Sequence, residues 1–122
     1  MDDEEGIRGL LSNMLTSLGY EVTSARDGTE AIALYRYAQE AGTPFVAVIL
    51  DLVVADGMGG QEAMTRLRAL DPQVRAIVSS GYSNDAVMAD FQRYGFSGVL
   101  AKPYRLAELS AILRHVIHRP TP

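Results

Sequence analysis

The sequence predicts an α/β domain built as a doubly wound parallel sheet with helices on both faces. Helix-periodic and strand-like segments alternate along the chain as α-β-α-β-α-β-α-β-α, the pattern that packs helices over a parallel sheet. The run Phe45-Val46-Ala47-Val48-Ile49-Leu50 is apolar throughout, as a strand buried on both faces requires. With 122 residues and no internal repeat or linker, one domain accounts for the chain.

Each element has its own signal. Ile7, Leu10, Leu11, Met14, Leu15 and Leu18 follow the spacing of one helical face, and Gly19 supplies a stop. Residues 20–25 (YEVTSA) carry β-formers between Gly19 and Asp27-Gly28 and read as a short strand. Asp27 and Glu30 resemble a capping box that opens a helix through Ile32, Leu34, Tyr35 and Ala38. Gly42-Thr43-Pro44 ends it and admits the apolar run at 45–50. A loop over 53–60 carries Gly57, Gly59 and Gly60, which permit a tight turn and lack a Walker-type phosphate-binding spacing. A helix with Ala63, Met64, Leu67 and Leu70 follows, then a strand at 75–79, a helix at 84–94 and a brief strand at 98–101. The last helix aligns Leu106, Leu109, Ile112, Leu113, Val116 and Ile117, and Pro120-Thr121-Pro122 forms a tail beyond a domain expected to span 1–119.

Composition narrows the function. The chain is 48% hydrophobic and 21% charged, with net charge −4. That balance argues against disorder and against a nucleic-acid partner, which needs a cationic surface. No cysteine is present, which excludes disulfides, thiolate nucleophiles and cysteine-based zinc sites. The acidic start Met1-Asp2-Asp3-Glu4-Glu5 is unlike a signal peptide, and no apolar stretch approaches the ~20 residues of a membrane span. A cytoplasmic protein without direct membrane contact is expected.

In open parallel sheets, functional groups gather at the carboxyl ends of the strands. Asp51 directly follows the apolar run, Ser79 and Ser80 end the next strand, and Lys102 ends the last. Asp2 and Asp3 stand before the first helix, where a preceding strand would end. Clustered carboxylates repel one another unless a cation joins them, and hard oxygen ligands suit Mg²⁺. Asp51 beside such an ion could attack phosphorus in line, with Lys102 neutralising one phosphoryl oxygen and a serine hydroxyl bonding another. The product would be an aspartyl phosphate, whose added charge can drive a conformational switch. Each residue alone has a plainer reading. The acidic pair suits the positive end of a helix dipole, Asp51 could cap a turn, Ser79 competes with Ser80, and Lys102 could be a solvated surface lysine. His115 and His118 read as helix-end histidines.

The stretch Asp2-Asp3-Glu4-Glu5-Gly6-Ile7-Arg8, the segment Val48-Ile49-Leu50-Asp51-Leu52, Ser80-Gly81 and Lys102-Pro103 together resemble the receiver domain of two-component response regulators. Asp51 lies 48 residues after Asp3, Ser80 lies 29 after Asp51, and Lys102 lies 22 after Ser80, spacings that suit the family. The wording around Gly57-Met58-Gly59-Gly60, Ser80-Gly81-Tyr82-Ser83 and Leu100-Ala101-Lys102-Pro103-Tyr104 is similar to receivers at the C-terminus of hybrid sensor histidine kinases. The resemblance implies a flavodoxin-like fold of strand order 2-1-3-4-5. It makes Asp51 the phosphoacceptor and assigns Mg²⁺ to Asp2, Asp3, Asp51 and the backbone carbonyl of Val53. It gives phosphoryl sensing to Ser80, phosphoryl pairing to Lys102, and a cis peptide to Pro103. The implied partner is a histidine kinase or histidine phosphotransfer domain, and the likeness to hybrid kinases implies kinase domains fused upstream; the chain itself would not be an enzyme beyond its own phosphorylation and dephosphorylation.

The sequence also departs from the family. The position of the switch aromatic, three residues before Lys102, is Val99, so output would pass through movement around Ser80 or through Tyr104. The loop after Asp51 lacks the common proline and is one residue longer than usual. Val53 and Tyr82 stand at the positions that tune dephosphorylation, and side chains of that kind should hinder the attacking water. The family places an apolar strand before the acidic pair, whereas the sequence starts at the pair. Four strands and five helices are therefore expected, with the first strand missing, a gap between segments 20–25 and 45–50, and weakened Mg²⁺ binding. An excised piece of a hybrid kinase is favoured over a stand-alone regulator that ends at its fifth helix. The rivals are a receiver-shaped interaction module that is not phosphorylated and a small phosphatase using Asp51 as nucleophile.

Overall fold

The computed structural model describes residues 1–81 and 86–118. Helices α1 (Glu5–Ser17) and α2 (Gly28–Glu40) precede strand β1 (Val48–Asp51), helix α3 (Gly60–Leu70) and strand β2 (Ala76–Ser80). Helix α4 (Ala86–Ala89), a 3₁₀ turn (Phe91–Tyr94), strand β3 (Gly98–Ala101) and helix α5 (Leu106–Ile117) complete the chain. The strands form one parallel sheet in the order β1-β2-β3.

Alternation along each strand sends successive side chains to opposite faces, and two cores result. Leu50, Ala76 and Val78 pack with Ala31 and Tyr35 of α2, Ala63, Met64 and Leu67 of α3, and Val87 and Met88 of α4. On the other face Ile77 and Leu100 meet Leu11 of α1 and Leu109, Leu113 and Val116 of α5. This is the doubly wound layering that the alternation predicted. Asp27 opens α2 by accepting the Glu30 amide at 2.9 Å.

Segment 20–25 is a correction: it joins no strand ladder, so the sheet has three strands among the described residues rather than four. The cause is the space beside it. A cleft of about 670 Å³ separates residues 20–25 from 43–49, and an extended segment without a hydrogen-bonding neighbour makes no sheet. Met1 and Asp2 bridge this cleft at one end only. The Met1 amino group donates to the Ile49 carbonyl at 2.7 Å, and the Asp51 amide donates to the Met1 carbonyl at 2.9 Å. The Asp2 amide reaches across to the Ala25 carbonyl at 3.1 Å.

The same cleft shortens the next strand. Pairing starts at Val48 rather than at Phe45, and Val46 is 59% exposed, so the apolar run is not buried on both faces along its whole length. Two further differences are local. The helix expected over 84–94 has its described part broken at Asp90, whose φ of −131° and ψ of 53° lie outside the helical region, and the 3₁₀ turn then ends at Gly95 in the left-handed region. Leu10 and Leu106, assigned to apolar helix faces, are 48% and 47% exposed.

Candidate functional site

The sheet delivers its polar residues to one edge because each strand ends there. Asp51 closes β1 and Ser79 is its register partner on β2; Lys102 follows β3, its amide bonded to the Ser80 carbonyl at 3.0 Å. Asp2 is carried to the same edge by the Met1–Asp2 bridge. Asp2, Asp51, Ser79 and Ser80 are the buried polar residues among those described.

The loop after Asp51 can turn back because two of its residues lack a side chain. A Cβ on Gly60 would stand 2.7 Å from the Asp51 carbonyl oxygen, and one on Gly59 would stand 2.7 Å from that of Leu52. The glycines therefore serve backbone approach, as their spacing suggested. Asp3 helps to hold the loop, its Oδ2 accepting the Ala55 amide at 3.3 Å.

Asp2, Asp3 and Asp51 each place one carboxylate oxygen within 4.8 Å of the others. Lys102 Nζ sits against two of them, 2.9 Å from Asp2 Oδ2 and 3.2 Å from Asp51 Oδ1. Asp2 Oδ1 accepts the Glu4 amide at 2.9 Å. Its Oδ2 is buried with no donor in hydrogen-bonding geometry, so Lys102 compensates its charge without meeting its lone-pair direction. The donor set is all hard oxygen, and within it the buried Asp2 Oδ2 has only the Lys102 ion pair and no hydrogen bond. These residues fit a hard divalent cation.

The electrostatics follow from crowding. Burial and the charge of Asp2 push the Asp51 carboxyl above its ordinary range, with Lys102 opposing them in part. Burial alone would lower the Lys102 ammonium, but its contacts with Asp2 and Asp51 outweigh that and raise it above the usual lysine range. Asp51 therefore takes up a proton more readily folded than unfolded, and its ionisation works against folding. Relative to Asp51→Asn, the wild type should lose stability as pH rises from the ordinary carboxylate value of 3.8 through the raised one, then level off. Denaturant melts of both proteins across that window check this; a difference independent of pH would contradict it.

The Lys102–Pro103 peptide is cis. Val53 is 55% exposed, while Val99 is half-buried against the α2–α3–α4 core. Tyr82 lies outside the described residues, and His115 and His118 are exposed on and just after α5. Two contacts had no sequence forecast. Arg8 Nη1 donates to the Asp2 carbonyl at 2.9 Å, and the Ser79 and Tyr104 hydroxyls lie 2.5 Å apart.

A family profile for the response regulator receiver domain matches residues 1–114. The chain belongs to that family. It is 29% identical over 119 residues to the sensor kinase CckA of Brucella abortus, spanning 98% of this chain and 12% of that protein's length. It is 27% identical over 109 residues to sporulation initiation phosphotransferase F of Bacillus subtilis, spanning 89% of this chain and 83% of that protein. Among solved structures, the receiver domain of a Pseudomonas aeruginosa sensor histidine kinase superposes with a TM-score of 0.83 at 26% identity, covering 96% of this chain and 93% of that one. That structure has a magnesium ion coordinated in its active-site cleft. The receiver's three-stranded sheet and its acidic edge thus belong to a common fold, and the chain's helices include none long and apolar enough to cross a membrane among the described residues.

Proposed function

We propose that the receiver accepts a phosphoryl group on Asp51 from the phosphohistidine of a histidine kinase or phosphotransfer domain. The observation that carries this reading is Lys102 Nζ held between Asp2 and Asp51, beside Asp3, at the carboxyl edge of a parallel sheet. As an Asp51 carboxylate oxygen bonds phosphorus, the P–N bond breaks. The leaving imidazole keeps that electron pair and its proton on the other ring nitrogen. Asp2, Asp3 and Asp51, with the Val53 backbone carbonyl, would hold Mg²⁺, which supplies neutralising charge for the transferred group. Lys102 pairs with a phosphoryl oxygen and Ser80 senses the group. With Val99 at the switch position, the response runs through the segment after Ser80 and through α4 and α5.

The receiver region spans 1–119 in this reading, with 120–122 as a tail. We read the domain as cytoplasmic and as part of a hybrid kinase; the likeness to a sensor kinase, of which the chain spans 12%, supports a place within a longer kinase chain. The partner is a protein carrying a phosphohistidine, not nucleic acid, and the domain promotes only its own phosphorylation and dephosphorylation.

Incubation with acetyl phosphate and Mg²⁺ should add one phosphoryl group, read by intact mass, and Asp51→Asn should take up none. No uptake by the wild type would overturn the reading. Turnover of external phosphomonoesters would favour a phosphatase instead. Val53 and Tyr82 make the phosphoprotein long-lived in this account, so the double variant Val53→Asn, Tyr82→Glu should lose its phosphoryl group faster. A slower loss would contradict the assignment of those positions.

A further inference from the structure

The Ser79–Tyr104 contact lies outside every role assigned so far. Ser79 is 1% exposed, and its Oγ lies 2.5 Å from the Tyr104 hydroxyl. A buried hydroxyl without a partner is unfavourable, and the half-buried Tyr104 hydroxyl supplies the partner that Ser79 needs. The bond also joins two places that matter. Ser79 is the register partner of Asp51, and its carbonyl accepts the amide of Leu52, the residue after Asp51, at 2.9 Å. Tyr104 stands two residues beyond Lys102, in the loop that leads into α5, with its ring packed against the α1–α5 core.

The β3–α5 loop is therefore fastened to β2 on both sides of Pro103. Before it, the Lys102 amide is bonded to the Ser80 carbonyl; after it, Tyr104 is bonded to Ser79. The first bond fixes where the Lys102 side chain departs. The second fixes the far end of the loop, and so the direction in which that side chain is launched. A lysine has four rotatable bonds, and its ammonium must reach two carboxylates at once. A small displacement of its backbone would trade one contact for the other.

We propose that Tyr104, acting through Ser79, is a positioning residue for Lys102: the hydroxyl pair holds the β3–α5 loop where Lys102 meets Asp2 and Asp51 together. The inference rests on the phosphoacceptor reading for its consequence in phosphorylation, but the positioning itself is a separate physical property. Ser79 thereby gains a role distinct from phosphoryl sensing. Strand alternation turns Ser80 to the opposite face from Ser79, so the two adjacent hydroxyls serve different partners.

The test compares wild type, Tyr104→Phe, Ser79→Ala, Ser79→Thr and the double variant Ser79→Ala, Tyr104→Phe by two readouts, each with thermal melts to establish folding. The first is the rate of Mg²⁺-dependent phosphorylation by acetyl phosphate. Losing one hydrogen bond predicts a slowing of about fivefold in Tyr104→Phe and in Ser79→Ala. The double variant should be no slower than either, because both remove one bond, and Ser79→Thr should keep the wild-type rate. In a Lys102→Ala background, Tyr104→Phe should cause no further slowing. An unchanged rate in Tyr104→Phe, or equal slowing with and without Lys102, overturns the proposal. The second readout is the ¹⁵N resonance of the Lys102 ammonium, sharp when the group is held and broadened when it exchanges with water. It should be retained in Ser79→Thr and lost in folded Tyr104→Phe; retention in Tyr104→Phe overturns the proposal even if the wild type takes up no phosphate. That lack of uptake would by itself defeat only the phosphoacceptor reading.

Discussion

Lys102→Ala should destabilise the fold by about 3 kcal/mol, the lower end of what removing one partner from a buried ion pair does. The lower end applies because the Lys102 side chain is 21% exposed. Its two partners are not exposed: the Asp2 side chain retains 3% and that of Asp51 6%. Without the ammonium, two buried carboxylates face each other with Asp3 nearby, and their only relief is to bind a proton or a cation. For a domain of this size the melting temperature should fall by roughly 10 °C. The acidic cluster should then make the variant depend on divalent ions, so that Mg²⁺ restores part of the lost stability. An ion that binds only the native state stabilises it in proportion to RT ln(1 + [L]/Kd). Thermal melts with and without Mg²⁺ decide the matter. An unchanged melting temperature would mean that the Lys102 contacts are energetically idle, and a large loss insensitive to Mg²⁺ would mean that the carboxylates do not form a cation site.

This cluster was legible because its signals are local. An acid after an apolar strand, a lysine after a glycine-led short strand and an acidic pair before a helix each mark a strand end, and parallel topology brings strand ends to one edge. Their convergence did not require knowledge of side-chain packing. The Ser79–Tyr104 bond was illegible for the opposite reason. It joins residues on different elements through side chains alone, and neither residue type is unusual where it stands. Strand limits failed in a third way. Residues 20–25 have a strand's composition, yet a strand exists only through its neighbour, and local propensity does not report whether that neighbour is present. Phe45 to Ala47 fell short for the same reason, being apolar but outside the ladder. The glycines at 59 and 60 were recognised as turn-formers, but the atoms that require them, the carbonyl oxygens of Leu52 and Asp51, appear only in three dimensions.

Joining five apolar β-forming residues to the amino end of Met1 should raise the melting temperature by about 10 °C. The argument begins with the backbone groups along the cleft. Val48 and Leu52 donate their amides to the carbonyls of Arg75, just before β2, and of Ser79 within it, so the alternating residues Ala47, Ile49 and Asp51 turn theirs toward the opposite edge. Met1 already uses the Ile49 carbonyl and the Asp51 amide there, while Asp2 takes the Ala25 carbonyl on the other wall. Those three bonds set a direction parallel to β1 and a register that an added segment continues toward Ala47 on one side and Thr23 on the other. The cleft walls receive it with Leu11, Leu15, Tyr35, Phe45 and Val48. Burying each added side chain yields about 2 kcal/mol, against roughly 1.5 kcal/mol to order the residue, and each new backbone bond adds about 1 kcal/mol. These contributions sum to about 7 kcal/mol for five fully ordered residues, an upper limit, and fraying at the new terminus leaves about 3 kcal/mol of it. The extension also replaces the Met1 ammonium, whose burial pushes its pKa down, with a neutral amide. A Gly/Ser extension of equal length is the control, since it offers the bonds without the apolar burial and with a larger ordering loss. Amide exchange should slow at Ala47 and Thr23 in the apolar version alone. Equal melting temperatures for the two extensions would show that the cleft walls do not accept a strand, and the exposed edge of β1 would then need another explanation.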